Sequence, residues 1–218
     1  VDTDDVQNYE IGWKTELFNN SLRFNGSAFF VEVDGLQTTI FDPSIVNLFY
    51  SDNAANAELK GVEGDFQWAP NSIDGLTIAG AFSFLDTEIT EVLVPTDDVV
   101  EGSDLAFAPD YQGNLRVRYE WDLDQQIGGQ LLRAHVMPQV VFSGSSFTDV
   151  IEINKMELDS YATLGATLGV SADKWTAELF GTNLTNEYAE LSGSFIFDRK
   201  RVQPIRPRTI GLRVSYDY

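Results

Sequence analysis

The chain contains no cysteine. Disulfides, thiolate metal centres and cysteine nucleophiles are excluded together. Its 218 residues hold one histidine, His135, so Ser–His and Cys–His catalysis have almost nothing to work with. The short "GSS" and "NGS" stretches are turn-like rather than nucleophile elbows. Cations are also scarce: 14 Lys and Arg stand against 34 Asp and Glu, a net charge of −20. That balance argues against nucleic acid as a partner, because affinity there comes from neutralising phosphates. Most of the negative charge reads as solvated surface. No run approaches the ~18 apolar residues of a membrane helix, and no segment shows a convincing apolar stripe at helical spacing. The first residues, "VDTDD", do not form a secretory signal; a mature or truncated chain would read the same way. With 43% hydrophobic and 22% charged residues, the composition is that of a folded protein. The length suits one all-β domain or a large piece of one.

What the sequence does contain is alternation. Nine segments sort polar from apolar residues with a period of two: 6–18, 21–33, 57–69, 76–88, 108–122, 130–143, 158–171, 174–188 and 206–218. In the fifth, Leu115, Val117, Tyr119 and Trp121 alternate with Asn114, Arg116, Arg118 and Glu120. In the last, Ile210, Leu212, Val214, Tyr216 and Tyr218 share one face and Thr209, Arg213 and Asp217 the other. The connections alternate too. "NN", "PNSIDG", "DLDQQIGG" and "SADK" are short and rich in turn formers, whereas 34–56, 89–107, 144–157 and 189–205 are long. Loop length segregated to two ends is expected of an up-and-down membrane barrel with short periplasmic turns and longer outer loops. A soluble sandwich has water at both ends and no such reason. Alternation by itself does not separate the two, because the apolar face could meet lipid or a protein core.

Tryptophan position favours the membrane. Trp68, Trp121 and Trp175 sit within a few residues of short turns, and Tyr216 and Tyr218 fall at the equivalent end of the last segment. Amphipathic rings gather where hydrocarbon meets water. The expectation is therefore all-β: an antiparallel up-and-down transmembrane β-barrel, with these five aromatics at the membrane interface. The last segment supplies roughly the ~9–11 residues of a spanning strand.

Several stretches resemble the C-terminal part of the barrel of TonB-dependent outer-membrane receptors. They are "NYEIGWKTELFNNSLRFNGSAFFVEVDGLQ", "AELKGVEGDFQWAP", "FAPDYQGNLRVRYEW", "AELFGTNLTNEYAE" and "RPRTIGLRVSYDY", in that order and over nearly the whole chain. The resemblance implies a 22-stranded barrel with a plug, of which residues 1–218 would be about the last nine strands. The earlier strands and the N-terminal plug domain would lie outside this chain. It further implies a Gram-negative outer membrane and energy-coupled uptake of a scarce nutrient: a ferric siderophore, a cobalamin or an oligosaccharide. Implied partners are outer-membrane lipid and lipopolysaccharide, the plug, the TonB complex, and the barrel-assembly machinery through the last strand. The family commonly ends on phenylalanine, where this chain has Tyr218. Two alternatives remain at this stage: a passive porin-like or adhesive barrel, and a soluble β-sandwich that binds carbohydrate.

Candidate sites follow. Phe41, Phe49 and Tyr50 in the first long loop could stack on a ligand ring, or only pack the loop. Arg199, Lys200, Arg201, Arg206 and Arg208 crowd the last long loop in an otherwise acidic chain. They could bind an anionic ligand or lipopolysaccharide phosphate, or pair inward with the plug or with a carboxylate such as Glu178. Asp97, Asp98, Glu101 and Asp104 lack the spacing of a calcium loop and read as solvated. His135 shares parity with Arg133 and Gln139, faces the interior and reads as structural, since metal sites need several convergent ligands. No catalytic residue, cofactor or metal is expected.

Overall fold

A computed structural model of the chain describes residues 1–42, 48–196 and 199–217; for Phe41, Asp42, Leu48, Phe49, Phe195 and Ile196 the backbone alone is described. Every regular element among them is a strand. The order is β1 (Asp5–Leu17), β2 (Leu22–Asp42), β3 (Leu48–Trp68), β4 (Leu76–Val92), β5 (Tyr111–Ile127) and β6 (Gln130–Ser143). Then come β7 (Ser146–Phe147), β8 (Glu157–Leu158), β9 (Tyr161–Ala172), β10 (Trp175–Thr182), β11 (Glu190–Ile196), β12 (Arg199–Pro204) and β13 (Thr209–Tyr216). Nine form one antiparallel sheet in chain order, β1-β2-β3-β4-β5-β6-β9-β10-β13, while β11-β12 and β7-β8 are separate hairpins. Sequence neighbours pair throughout, as an up-and-down sheet requires; the sheet is open, with β1 and β13 at its edges.

The short turns follow from residues that tolerate left-handed backbone. Asn19 and Asn20 reverse β1 into β2 with φ of 56° and 63°, and Gly128 and Gly129 join β5 to β6 at 61° and 81°. At Gly75 a side chain has no room, because a Cβ there would collide with the Glu120 carbonyl oxygen. That carbonyl's own amide bonds the Gly75 carbonyl at 3.0 Å.

Within the strands, glycine and ring pair directly. Trp13 faces Gly26, Phe82 faces Gly64, Phe66 faces Gly80, and Phe142 faces Gly113. Each ring lies over its glycine so closely that a Cβ would overlap it. A strand glycine otherwise weakens pairing and leaves backbone bare; here the opposed aromatic covers it, a cross-strand device known to stabilise sheets.

The expectation of a loop over 34–56 needs correction. β2 and β3 remain paired from Leu36↔Ala55 out to Asp42↔Leu48, beyond an irregularity after Val33. Gly35 takes φ of 73° there. The Asn53 side-chain amide donates to the Gly35 carbonyl at 2.7 Å, and the Gly35 amide donates to Asn56 Oδ1 at 2.9 Å. The asparagines that mark a loop by composition thus close a bulge inside a long hairpin. Likewise the expected loop 189–205 contains the β11-β12 hairpin, and the eighth segment stops at Thr182 rather than 188.

At the end of the sheet opposite the short turns, the long connections fold onto one another. Ala55 and Ile89 from β3 and β4 are buried with Val99, Val150 and Ile151, and Val92, Leu105 and Ala106 pack against them. Ala106 bridges Phe147, and the Glu152 amide donates to the Asp98 carbonyl at 2.8 Å. The connection after β4 and the connection after β6 therefore share one small apolar core.

Candidate functional site

Two surfaces of the sheet differ in chemistry. On the apolar face, register places like beside like: Leu168 pairs with Val136 and Leu179, and Leu179 with Leu212. No described residue covers this face. Leu212 is 80% exposed, Val214 75%, Ile11 72% and Leu115 37%; Val117 and Phe82 are half-buried by their own neighbours in the sheet. A soluble sheet of this width would hide these side chains beneath a second layer. No second sheet packs on it among the described residues, which removes the β-sandwich alternative.

The apolar stripes end abruptly. Phe30 gives way two residues on to Glu32, Phe84 to Asp86, and Val62 to Lys60. Lys60 Nζ lies 2.9 Å from Asp86 Oδ2, with both side chains largely exposed. At the short-turn end the same face carries Trp68, Tyr119, Trp121 and Tyr216, all exposed, and Trp175, half-buried. Tyr119 stacks on Trp121 with ring centroids 5.7 Å apart, and Trp175 is the cross-strand partner of Tyr216. Tyr218 lies outside the described residues. At the far end of the stripes Tyr9 stacks on Phe30 at 6.5 Å, and Tyr111 meets Phe142 at 6.4 Å. This second group of aromatics was not singled out from sequence, although Phe30 and Phe84 carry a signal: each is followed by an acid at i+2.

The polar face carries a connected charge network. Glu120 accepts from Arg118 Nη2 at 2.9 Å and Arg133 Nη1 at 3.4 Å, and Arg133 Nε reaches Asp122 at 3.0 Å. One row further along, His135, Gly169, Glu178 and Arg213 are successive partners on β6, β9, β10 and β13. Gly169 makes this row possible, because a Cβ there would collide with the imidazole. Across the gap His135 Nε2 approaches Glu178 Oε1 at 3.1 Å, and Arg213 Nη1 donates to Glu178 Oε2 at 3.0 Å. His135 is 3% exposed, and its Nδ1 has no partner among the described residues. Thus Glu178 is held by Arg213, not by the cations at 199–208.

The remaining candidates lie on separate hairpins. Phe41 pairs with Phe49 and Ile40 with Tyr50 at the outer end of β2-β3. The Phe41 and Phe49 side chains lie outside the description, and Tyr50 is exposed. Arg199 and Arg201 stand exposed on β12. The two hairpins do not touch among the described residues, so the structure does not bring these candidates together. Lys200 pairs with Glu190 at 2.9 Å. The backbone amide of Arg208 is bonded by Asn186 at 3.1 Å, and the Arg206 carbonyl accepts from Asn183, also at 3.1 Å. Asp97, Asp98, Glu101 and Asp104 do not converge: no three acidic or histidine side chains among the described residues are placed to hold a metal ion.

Comparison with known proteins agrees with this geometry. Residues 5–184 match the family model described as "TonB dependent receptor-like, beta-barrel". A metal-pseudopaline receptor of Pseudomonas aeruginosa is 26% identical over the whole chain, which spans 28% of that relative's length. The ferric yersiniabactin uptake receptor of Yersinia pestis superposes with a TM-score of 0.75 at 19% identity, over 99% of this chain and 30% of that one. A siderophore receptor of Acinetobacter baumannii superposes at 0.72 and 18% identity, over 98% of this chain and 28% of that one. The chain belongs to the TonB-dependent receptor-like β-barrel family, and its sheet is part of an outer-membrane barrel of a Gram-negative bacterium.

Proposed function

We propose that the full-length protein is a receptor for energy-coupled uptake of a scarce nutrient, with a metal chelate of the siderophore type as the favoured cargo. The observation that carries this reading is the pairing of an uncovered apolar face with a charged face in one up-and-down sheet. Lipid satisfies the first and an aqueous or protein-filled interior the second. The choice of cargo draws on the relatives, whose names specify metal-pseudopaline, yersiniabactin and siderophore receptors. In this reading residues 1–218 supply the last nine strands of a 22-stranded barrel. An N-terminal plug fills the lumen and meets the charges around Glu120 and Glu178. The TonB complex engages the protein through its N-terminal part. Lipopolysaccharide surrounds the outer rim, and the barrel-assembly machinery handles the last strand. Trp68, Trp121, Trp175, Tyr216 and Tyr218 sit at the inner interface of the membrane. Tyr50, Phe41, Phe49, Arg199 and Arg201 contact cargo at the mouth. Transport is gated movement, and no step of it is catalytic.

The test is uptake of radiolabelled iron, presented as a panel of ferric chelates, by cells with and without the gene. The reading expects at least one chelate whose uptake needs the gene and stops when the inner-membrane proton gradient is collapsed. Gene-dependent uptake that persists without the gradient would mark a passive pore instead.

A further inference from the structure

The connection from β6 to β9 closes on itself and inserts its tip elsewhere. β7 and β8 pair its two ends. The Thr148 amide donates to the Met156 carbonyl at 3.0 Å, and the Met156 amide donates to Thr148 Oγ1 at 3.1 Å. Lys155 Nζ bonds Glu152 at 2.9 Å and stands 4.5 Å from the centroid of the Phe147 ring. The result is a braced loop, 148–156, with Val150 and Ile151 at its tip. Ile151 is 1% exposed, whereas Ile153 in the same loop is 53% exposed. The burial is supplied from a distance: Val150 and Ile151 cluster with Ala55 of β3, Ile89 of β4 and Val99 of the connection after β4. β3 lies three strands away from β6, ~14 Å across a sheet. Register gives the side of approach. β4 pairs with β3 without irregularity from Ile78 to Ile89, so Ile89 shares a face with Ser83 and Thr77. Thr77 is the partner of Arg118 in the interior charge network. The loop therefore reaches over the interior side of the wall. The connection after β4 meets it there and is itself tied down. The Ile89 amide donates to the Ser103 carbonyl at 2.9 Å, the Leu105 amide to Thr87 Oγ1 at 3.0 Å, and the Glu152 amide to the Asp98 carbonyl at 2.8 Å.

We infer that the loop 148–156 is a fixed strap across the interior side of the β3-β4 wall, which opens only together with the connection after β4, so that cargo passes beside it and does not displace it. The passage of cargo rests on the uptake reading; the coupling of the two connections does not. Three features fix the strap. Its tip is apolar surface removed from water. Its body is braced by its own hydrogen bonds and ion pair, so it does not yield piece by piece. Its seat includes Ala55 and Ile89, which belong to the paired sheet. Lifting either connection exposes the whole cluster, and this makes the two one cooperative unit. Residues 36–40 of the outer β2-β3 hairpin supply no side chain to the cluster and lie outside that unit.

The experiment measures hydrogen exchange in purified full-length receptor in detergent, with no cargo present, so a failure of transport does not enter. Ile151→Ser removes the buried tip. It is expected to speed exchange at least ~10-fold not only in 147–156 but also in 98–107, the connection it does not belong to, since losing a buried isoleucine destabilises its cluster by that much or more. Ile153→Ser makes the same chemical change at an exposed position and is expected to exchange as wild type, and residues 36–40 are expected to be unaltered in both. Acceleration confined to 147–156, or none at all, would overturn the proposal. A second variant decides the matter even where Ile151→Ser does not fold. Asp98→Cys/Glu152→Cys, with any other cysteines replaced by serine, joins the two connections where their backbones are bonded. The disulfide is expected to form in the intact receptor on mild oxidation, and uptake of a ferric chelate is expected to run at the same rate in oxidised and reduced cells. Failure of the bond to form would show that the connections do not meet. Slower uptake in the oxidised form would show that the strap must lift, and either result overturns the proposal.

Discussion

Gly113 and Leu168 state the account at residue scale. Gly113 has no room for a side chain, because a Cβ would lie 2.7 Å from the Phe142 ring and 2.8 Å from the Ala81 carbonyl oxygen. Gly113→Val must displace a ring and a backbone together, and it is expected to cost about 1–3 kcal/mol, read by chemical denaturation of the full-length protein in detergent. Leu168 sits on a central strand of the apolar face and is 53% exposed. Leu168→Arg is expected to cost ~2–4 kcal/mol in lipid, whereas Glu88→Lys at the rim should cost only ~0–1 kcal/mol. Equal costs at the two positions would contradict a lipid-facing band. The partners of such residues were not legible in the sequence. Alternation assigned Gly113 and Phe142 to strands, but only the register shows that one covers the other. The same holds for His135: its inward parity could be read, whereas its reach over Gly169 to Glu178 depends on the order of three strands. Met137 and Val141 share the polar face with Gln139 and His135, so a strict polar-versus-apolar reading of β6 would have misplaced them.

At the scale of elements, composition misled where side chains replace backbone pairing. "SDNAANAE" is rich in residues that disfavour strands, yet it forms part of β3 because Asn53 and Asn56 satisfy the bulge at Gly35. Asn53 also receives the Asp2 amide at 2.6 Å through Oδ1 and donates to the Asp2 carbonyl at 3.1 Å. Asn53→Ala is expected to speed hydrogen exchange of residues 36–42 while leaving the melting temperature nearly unchanged, since the outer hairpin opens independently of the main sheet. Unchanged exchange would show that the clamp is dispensable. "RKRVQP" was likewise hidden by its charge, and β12 carries it on a hairpin outside the main sheet. The nine spanning segments, by contrast, were readable because a buried or lipid-facing stripe must repeat every second residue. Nothing in that pattern depends on distant contacts.

For the whole molecule, the claim is that one side of this sheet meets acyl chains and the other an interior. Family membership and the fold likeness agree with it, and the uncovered leucines and valines require it physically: that much apolar surface in water would drive aggregation. Residues 1–218 hold no cysteine of their own, and any elsewhere in the full-length receptor are first replaced by serine. Single cysteines are placed in the full-length receptor at Leu115, Phe82 and Val214, and at the adjacent Asn114, Ser83 and Ser215. Each is spin-labelled in a reconstituted bilayer, and its collision rates with oxygen and with a water-soluble nickel chelate are measured. The account predicts alternation, with oxygen favoured at 115, 82 and 214 and weaker at 114, 83 and 215. Labels at Leu115, Phe82 and Val214 shielded from both reagents, as beneath a second layer of protein, would contradict it.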